Sequence, residues 1–149
     1  MQPAVFVVED NADIRENLGA ALEELSCVKV VGGSGTEEAA LAWLAQHPRD
    51  WDLLIVDLFL RGGSGIRLVQ RVQRARAGQK LIVFSNYVNA NVRKRCAQLG
   101  VDAVFDKSTE IDALVDYCSL QCRQAAEHAS GLETMGGTSE GAASKPPRG

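Results

Sequence analysis

The chain has 149 residues, 46% hydrophobic and 23% charged, enough for one globular domain with a real core and too few for a second module of ordinary size. Sixteen Lys and Arg against nineteen Asp and Glu leave a net charge of −3, which speaks against direct nucleic-acid binding. No apolar run approaches the ~20 residues of a membrane span, and no basic region precedes the N-terminal apolar run as in a signal peptide. The expected location is therefore the cytoplasm, without membrane insertion. There the four cysteines, Cys27, Cys96, Cys118 and Cys122, would stay reduced.

Ala4 to Val8 is a continuous apolar run of strand length, the pattern of a strand buried on both faces. After Glu9, Asp10 and Asn11, apolar residues at Ile14, Leu18, Ala21, Leu22 and Leu25 draw one helical stripe. Val28 to Val31 is the next strand, broken by Gly32 to Gly35. Thr36 then caps a helix with Glu37 and Glu38 in its first turn, ended near Gln46 by Pro48. Leu53 to Leu58 reads as a third strand, and Gly62, Gly63, Ser64 and Gly65 as a loop. Ile66 to Ala77 is predicted helical, with Arg67, Arg71 and Arg74 facing outward. Leu81 to Phe84 is strand four, Ala90 to Leu99 a helix closed by Gly100, Ala103 to Phe105 strand five, and Glu110 to His128 the last helix. Alternation of five strands with five helices predicts an α/β fold, a doubly wound five-stranded parallel sheet covered on both sides.

The last 20 residues differ in kind. Gly, Ser and Pro fill 10 of the positions from Ser130 to Gly149, and only Leu132 and Met135 are large and apolar. Such a stretch buries too little to offset its ordering entropy. The expected organisation is a folded domain over 1–129 and a disordered tail over 130–149.

In open α/β sheets ligands bind beyond the carboxyl ends of the strands. Strand one ends there in Glu9 and Asp10, strand three carries Asp57, strand four ends in Ser85, and strand five runs into Asp106 and Lys107. Asp57 lies in an otherwise apolar stretch, Leu53 to Leu60, where an isolated carboxylate would cost several kcal/mol. Compensation must come from nearby. Oxygen-only ligands from Glu9, Asp10 and Asp57 would select a hard cation such as Mg²⁺, and Lys107 would add positive charge. Singly, each residue also has an ordinary explanation: Asp57 capping a helix or paired with Lys107, and Glu9 and Asp10 opening the following helix.

Taken together, these residues resemble the receiver domain of two-component response regulators, the CheY-like or flavodoxin-like phosphoacceptor fold. Glu9 and Asp10 in VVEDN, Asp57 in VDLFLRGGSG, Ser85 in VFSN and Lys107 in FDKS occur in that family's order, and the likeness runs from Val5 to about His128. The resemblance implies a phosphoprotein of a two-component or phosphorelay system. Asp57 would be phosphorylated by a histidine kinase or histidine phosphotransfer protein, with Ser85 and Lys107 assisting. Mg²⁺ would be held by Asp10, Asp57 and the backbone carbonyl of Phe59, with Glu9 acting through water. Such a protein is not an enzyme, although it assists its own phosphorylation and dephosphorylation. It would act as a stand-alone receiver that signals to an effector protein, with a phosphorylation-dependent homodimer open to it.

A degenerate receiver, binding partners without phosphotransfer, is the alternative. A phosphate-ester hydrolase with an aspartyl nucleophile is a third reading, disfavoured because strand one lacks a paired Asp motif. The match departs from the family at several positions. An aromatic usual three residues before the lysine is replaced by Val104, and neighbouring Phe105 must point to the opposite face. Ser108 and Arg61 stand where prolines are common, and Asn86 where a small residue is common. Asn86, with bulky Phe59 and Tyr87 near the expected acceptor, predicts hindered water and a long-lived acyl phosphate. Cys118 and Cys122 are assigned to the core stripe of the last helix. Arg93, Lys94 and Arg95 form a basic cluster on the fourth helix, part of the surface through which the family signals, and suited to an acidic partner.

Overall fold

The computed structural model describes residues 2–137. Its elements run in the order β1 (Ala4–Val8), α1 (Ala12–Leu25), β2 (Lys29–Ser34), α2 (Glu37–Gln46), β3 (Leu53–Val56), α3 (Gly65–Arg71), β4 (Lys80–Ser85), α4 (Ala90–Gln98), β5 (Ala103–Asp106) and α5 (Ile111–Gly137). All pairings are parallel and the strand order is β2-β1-β3-β4-β5. The predicted doubly wound sheet is the one observed.

The apolar alternation within the strands divides the core into two layers. Phe6, Val8, Leu54, Val56, Leu81 and Val83 pack on the side of α2, α3 and α4; Val5, Val7, Leu53, Ile55, Ile82 and Phe84 pack with α1 and α5. β3 is buried along its whole length, which is why it reads as an unbroken apolar run. Trp43 anchors α2 by stacking on Phe6, with ring centroids 4.2 Å apart.

Several boundaries differ from the sequence reading for identifiable reasons. β2 is not broken at Gly32 but continues through Gly32 and Gly33 to Ser34. Both glycines are needed for close approach: a Cβ on Gly32 would lie 3.0 Å from the Phe6 ring, and one on Gly33 would meet Arg15 at 2.9 Å and the Val7 carbonyl at 3.0 Å. α3 stops at Arg71 rather than Ala77, with Val72 already extended. There the backbone N–H groups of Ala75 and Arg76 donate to the Gln79 side chain instead of to a helical carbonyl. α5 continues past His128 to Gly137. Residues 138–149 of the expected tail lie outside the described residues.

The cysteines require a correction. Cys27, after α1, is disulfide-bonded to Cys122 on α5, with Cα atoms 5.9 Å apart, so these two are not reduced thiols. Sequence spacing could not reveal the pair, because the fold brings together positions 95 residues apart. Cys96 and Cys118 are free and buried, and burial pushes the Cys118 thiol up to about 12.

Candidate functional site

The parallel ladders extend one step beyond the strands and place the polar residues side by side. The Glu9 N–H donates to the Ser34 carbonyl, that of Asp57 to Val8 and that of Lys107 to Ser85, at 2.9, 3.0 and 2.9 Å. Four strand ends therefore meet around one carboxylate. Asp57 is buried, as are Glu9 and Ser85. Its Oδ1 accepts the Ser85 hydroxyl at 2.7 Å and the Phe59 backbone N–H at 3.1 Å. Its Oδ2 accepts the Lys107 ammonium at 2.7 Å. Lys107 also donates to Glu9 Oε1, and Glu9 Oε2 accepts the Asn11 N–H at 3.0 Å.

This network answers how an aspartate survives in an apolar strand. One ammonium serves two buried carboxylates, and no buried polar side-chain atom among the described residues lacks a partner. Burial works to lower the Lys107 pKa, but hydrogen bonds and charge from Asp57 and Glu9 outweigh it and hold the ammonium above its ordinary value. Lys107 is therefore a fixed cation at neutral pH.

Asp10 stands at the rim. Its Oδ2 accepts the Arg61 backbone N–H at 2.9 Å, and the Arg61 guanidinium lies 3.8 Å away. The capping role open to Glu9 and Asp10 is filled instead by Asn11, whose Oδ1 accepts from the Ile14 N–H at 3.0 Å. Asp106, at the end of β5, does not join the hydrogen bonds around Asp57 and accepts from the Ser108 N–H and hydroxyl. These local bonds, led by the Ser108 hydroxyl, hold its carboxyl below the ordinary range.

The loop after β3 is held by a device that the sequence reading missed. Glu37 is buried at the start of α2 and accepts from Arg67, Arg71 and the Ser64 N–H, so Arg67 and Arg71 are not merely outward-facing. The Arg67 hydrogen bond, with Ser64 and Arg71, lowers the Glu37 carboxyl from 4.5 to about 2 against the opposing effect of burial. Gly65 lets this loop close: a Cβ there would lie 2.2 Å from the Asp57 carbonyl oxygen.

An aromatic pair stands beside Asp57. Phe59 and Tyr87 meet edge to face with centroids 5.7 Å apart, both exposed, and Tyr87 holds a left-handed backbone at φ 59°. Val104 packs in the layer beneath α4, whereas Phe105 lies in the other layer, 5.8 Å from Tyr117. The opposite-face argument for these two residues holds.

The donor set of Glu9, Asp10 and Asp57 is all oxygen, and Asp10 Oδ1 and the Phe59 carbonyl accept no hydrogen bond among the described residues. That chemistry fits a hard divalent cation. As the side chains stand, no three His, Cys, Asp or Glu residues among those described close around one point. Lys107 sits between Glu9 and Asp57.

A family model described as "Response regulator receiver domain" matches residues 5–119. Among curated proteins, the chain is 27% identical over 110 residues to a cyclic di-GMP phosphodiesterase of Thermotoga maritima, covering 74% of this chain and 28% of that protein. It is 23% identical over 103 residues to response regulator UvrY of Escherichia coli, covering 69% of this chain and 46% of that one. The chain thus spans less than half the length of either. Among solved structures, a CheY-like receiver domain protein from Methanospirillum hungatei superposes with TM-score 0.67 at 20% identity, covering 83% of this chain and 99% of that one. The signal receiver domain of a Luxo repressor protein from Vibrio parahaemolyticus gives TM-score 0.71 at 17% identity, covering 87% and 96%.

Proposed function

The chain belongs to the response regulator receiver domain family, and from that premise we propose that Asp57 is its phosphoacceptor. The observation that carries this reading is the pair of hydrogen bonds to Asp57, one from Ser85 and one from Lys107, each 2.7 Å. An ionised carboxylate needs no base to act as a nucleophile, so the residues around it have to position the donor and neutralise charge. In transfer from a phosphohistidine, the Asp57 oxygen forms a bond to phosphorus as the nitrogen–phosphorus bond breaks, and the imidazole leaves with the electron pair. Ser85 and Lys107 are placed to receive the phosphoryl oxygens.

Asp10, Asp57 and the Phe59 carbonyl would hold Mg²⁺, with Glu9 acting through water. Bound there, the ion would offset the negative charge of the donor and acceptor. Lys107 then keeps the second carboxylate, Glu9, compensated. Phosphorylation adds charge and acceptor oxygens at Asp57, drawing Ser85 and Lys107 and biasing the loops after β4 and β5. Because residue 104 is valine, this shift lacks the rotating aromatic in β5 that is usual in the family.

The domain is read as 1–129, its partners as a histidine kinase or phosphotransfer protein and an effector protein, and its output as protein contacts in the cytoplasm. No helix among the described residues is long and apolar enough to cross a membrane. Under reducing conditions Cys27 and Cys122 would be a dithiol. The phosphodiesterase activity named for the Thermotoga relative belongs to a protein of which this chain covers 28%. Here the domain is read as a phosphoacceptor rather than an enzyme. Addition of beryllofluoride with Mg²⁺, followed by amide NMR, tests the reading. Shifts centred on Asp57, Ser85 and Lys107, absent in Asp57→Asn, are expected; an unchanged spectrum would favour a receiver that binds partners without phosphotransfer.

A further inference from the structure

Between Leu58 and Val101 the chain carries nine Lys and Arg and no Asp or Glu, in a protein of net charge −3. The fold uses five of these cations internally: Glu37 takes Arg67 and Arg71, Asp102 takes Arg74, Asp52 takes Arg76 and Glu110 takes Arg93. Lys80 stands at the opposite end of the sheet, at the start of β4. Arg61 approaches Asp10 only to 3.8 Å, with 84% of its side chain exposed. Lys94 and Arg95 are exposed and have no carboxylate in ion-pair range among the described residues.

Of these remaining cations Arg95 lines an apolar cleft, and Arg61 and Lys94 adjoin its lining residues Leu60 and Arg95 in the sequence. Its volume is about 580 Å³, and Phe59, Leu60, Ile66, Val92 and Arg95 line it between the loop after β3 and one flank of α4. Phe59 is 57% exposed there. Arg93 marks the other flank of α4, donating to the Val104 carbonyl at 3.0 Å and to Glu110 at 2.8 Å. The cleft therefore faces away from β5 and α5.

We infer that this cleft docks an acidic amphipathic segment of a partner protein, one large apolar side chain entering between Ile66 and Val92 while flanking Glu or Asp residues meet Arg95, Lys94 and Arg61. A nucleic acid would use the cations but leave the apolar lining unsatisfied. Within this chain, Leu25 beside Glu23 and Glu24 has similar chemistry, but Glu23 already accepts the Val30 N–H at 2.8 Å. Charge complementarity thus favours a different protein over a second copy. The inference rests on the reading of this domain as signalling through protein contacts and locates where one such contact forms.

The test uses unphosphorylated protein with no phosphoryl donor, so failure here is distinct from failure of the Asp57 chemistry. The probe is a fluorescein-labelled helical peptide of Glu, Ala and Leu, followed by anisotropy and by amide NMR of the unmutated protein. Shifts over Leu58–Ser64 and Asn91–Arg95 are expected, with binding weakened at least about tenfold, or ~1.4 kcal/mol, by Arg95→Glu and by Val92→Asp. Lys29→Glu, on β2, should bind as the parent does. Equal binding of a peptide with Leu replaced by Ala, shifts located elsewhere, or no binding would overturn the inference. So would tighter, Arg95-dependent binding of a mixed-sequence DNA duplex, or Arg95-dependent self-association in place of peptide binding.

Discussion

Lys107 holds two buried carboxylates at once, so its removal leaves Glu9 and Asp57 facing each other without a cation. Breaking a buried pair costs about 3–5 kcal/mol, and with 14% of the Lys107 side chain exposed the lower end applies. Lys107→Met should therefore unfold in urea with stability reduced by about 3 kcal/mol at neutral pH. The pH dependence follows from the raised pKa of Lys107. Its contribution is fully present below the unfolded value near 10.5 and is lost as pH rises through the higher folded value, so parent and variant should converge only in that alkaline range. Convergence near neutrality would mean that Lys107 is not the compensating charge. This residue was legible in the sequence, because an aspartate in an apolar strand demands a partner and a lysine ends the next strand but one. The role of Arg61 was not: its backbone N–H, rather than its side-chain type, engages Asp10.

At the scale of elements, Glu37 ties the start of α2 to α3 and to the loop after β3. Its lowered pKa gives stability that is present above about 4.5 and lost as pH falls toward about 2. Thermal melts of the parent and Glu37→Gln should differ at pH 6 and draw together below 4.5; a constant gap would contradict the clasp. The sequence offered only an acid in a helix's first turn, where the dipole alone accounts for it. Its arginine partners lie 30 and 34 residues away, and nothing local signals that distance. The same limit explains β2, where Gly32 and Gly33 read as a break but make room for Phe6 and Arg15. Phe59 and Tyr87 were legible as bulky neighbours of Asp57, though not as an edge-to-face pair. If they restrict water at Asp57, the phosphorylated protein should lose its phosphoryl group faster in Phe59→Asn and Tyr87→Glu, roughly tenfold for about 1.4 kcal/mol of barrier. No acceleration in either variant would remove that role.

For the whole molecule, the period of the apolar runs was enough to predict five strands, five helices and a parallel sheet, since both faces of such a sheet must be covered. Contacts between distant parts were not readable in the same way. The Cys27–Cys122 bond closes a loop of 95 residues and fastens α5 to the turn after α1. In the chain-entropy account such a loop contributes up to about 4–5 kcal/mol. Dithiothreitol should lower the melting temperature of the parent and leave Cys27→Ser unchanged; equal sensitivity of both would show that the bond does not fasten the fold. Charge is also distributed at this scale. The stretch from Leu58 to Val101 carries only positive charges while the rest of the chain is acidic in excess, so the mild net value conceals an uneven distribution of charge along the sequence. The proposed signalling chemistry nevertheless turns on one atom pair, the bond from Asp57 to phosphorus. Incubation with Mg²⁺ and acetyl phosphate, trapping of the acyl phosphate by borohydride reduction and peptide mass spectrometry tests it most directly. One modified residue, Asp57, is expected, with no modification in Asp57→Asn; label at another carboxylate, or none at Asp57 with either acetyl phosphate or a histidine kinase as donor, would rule out Asp57 as the phosphoacceptor.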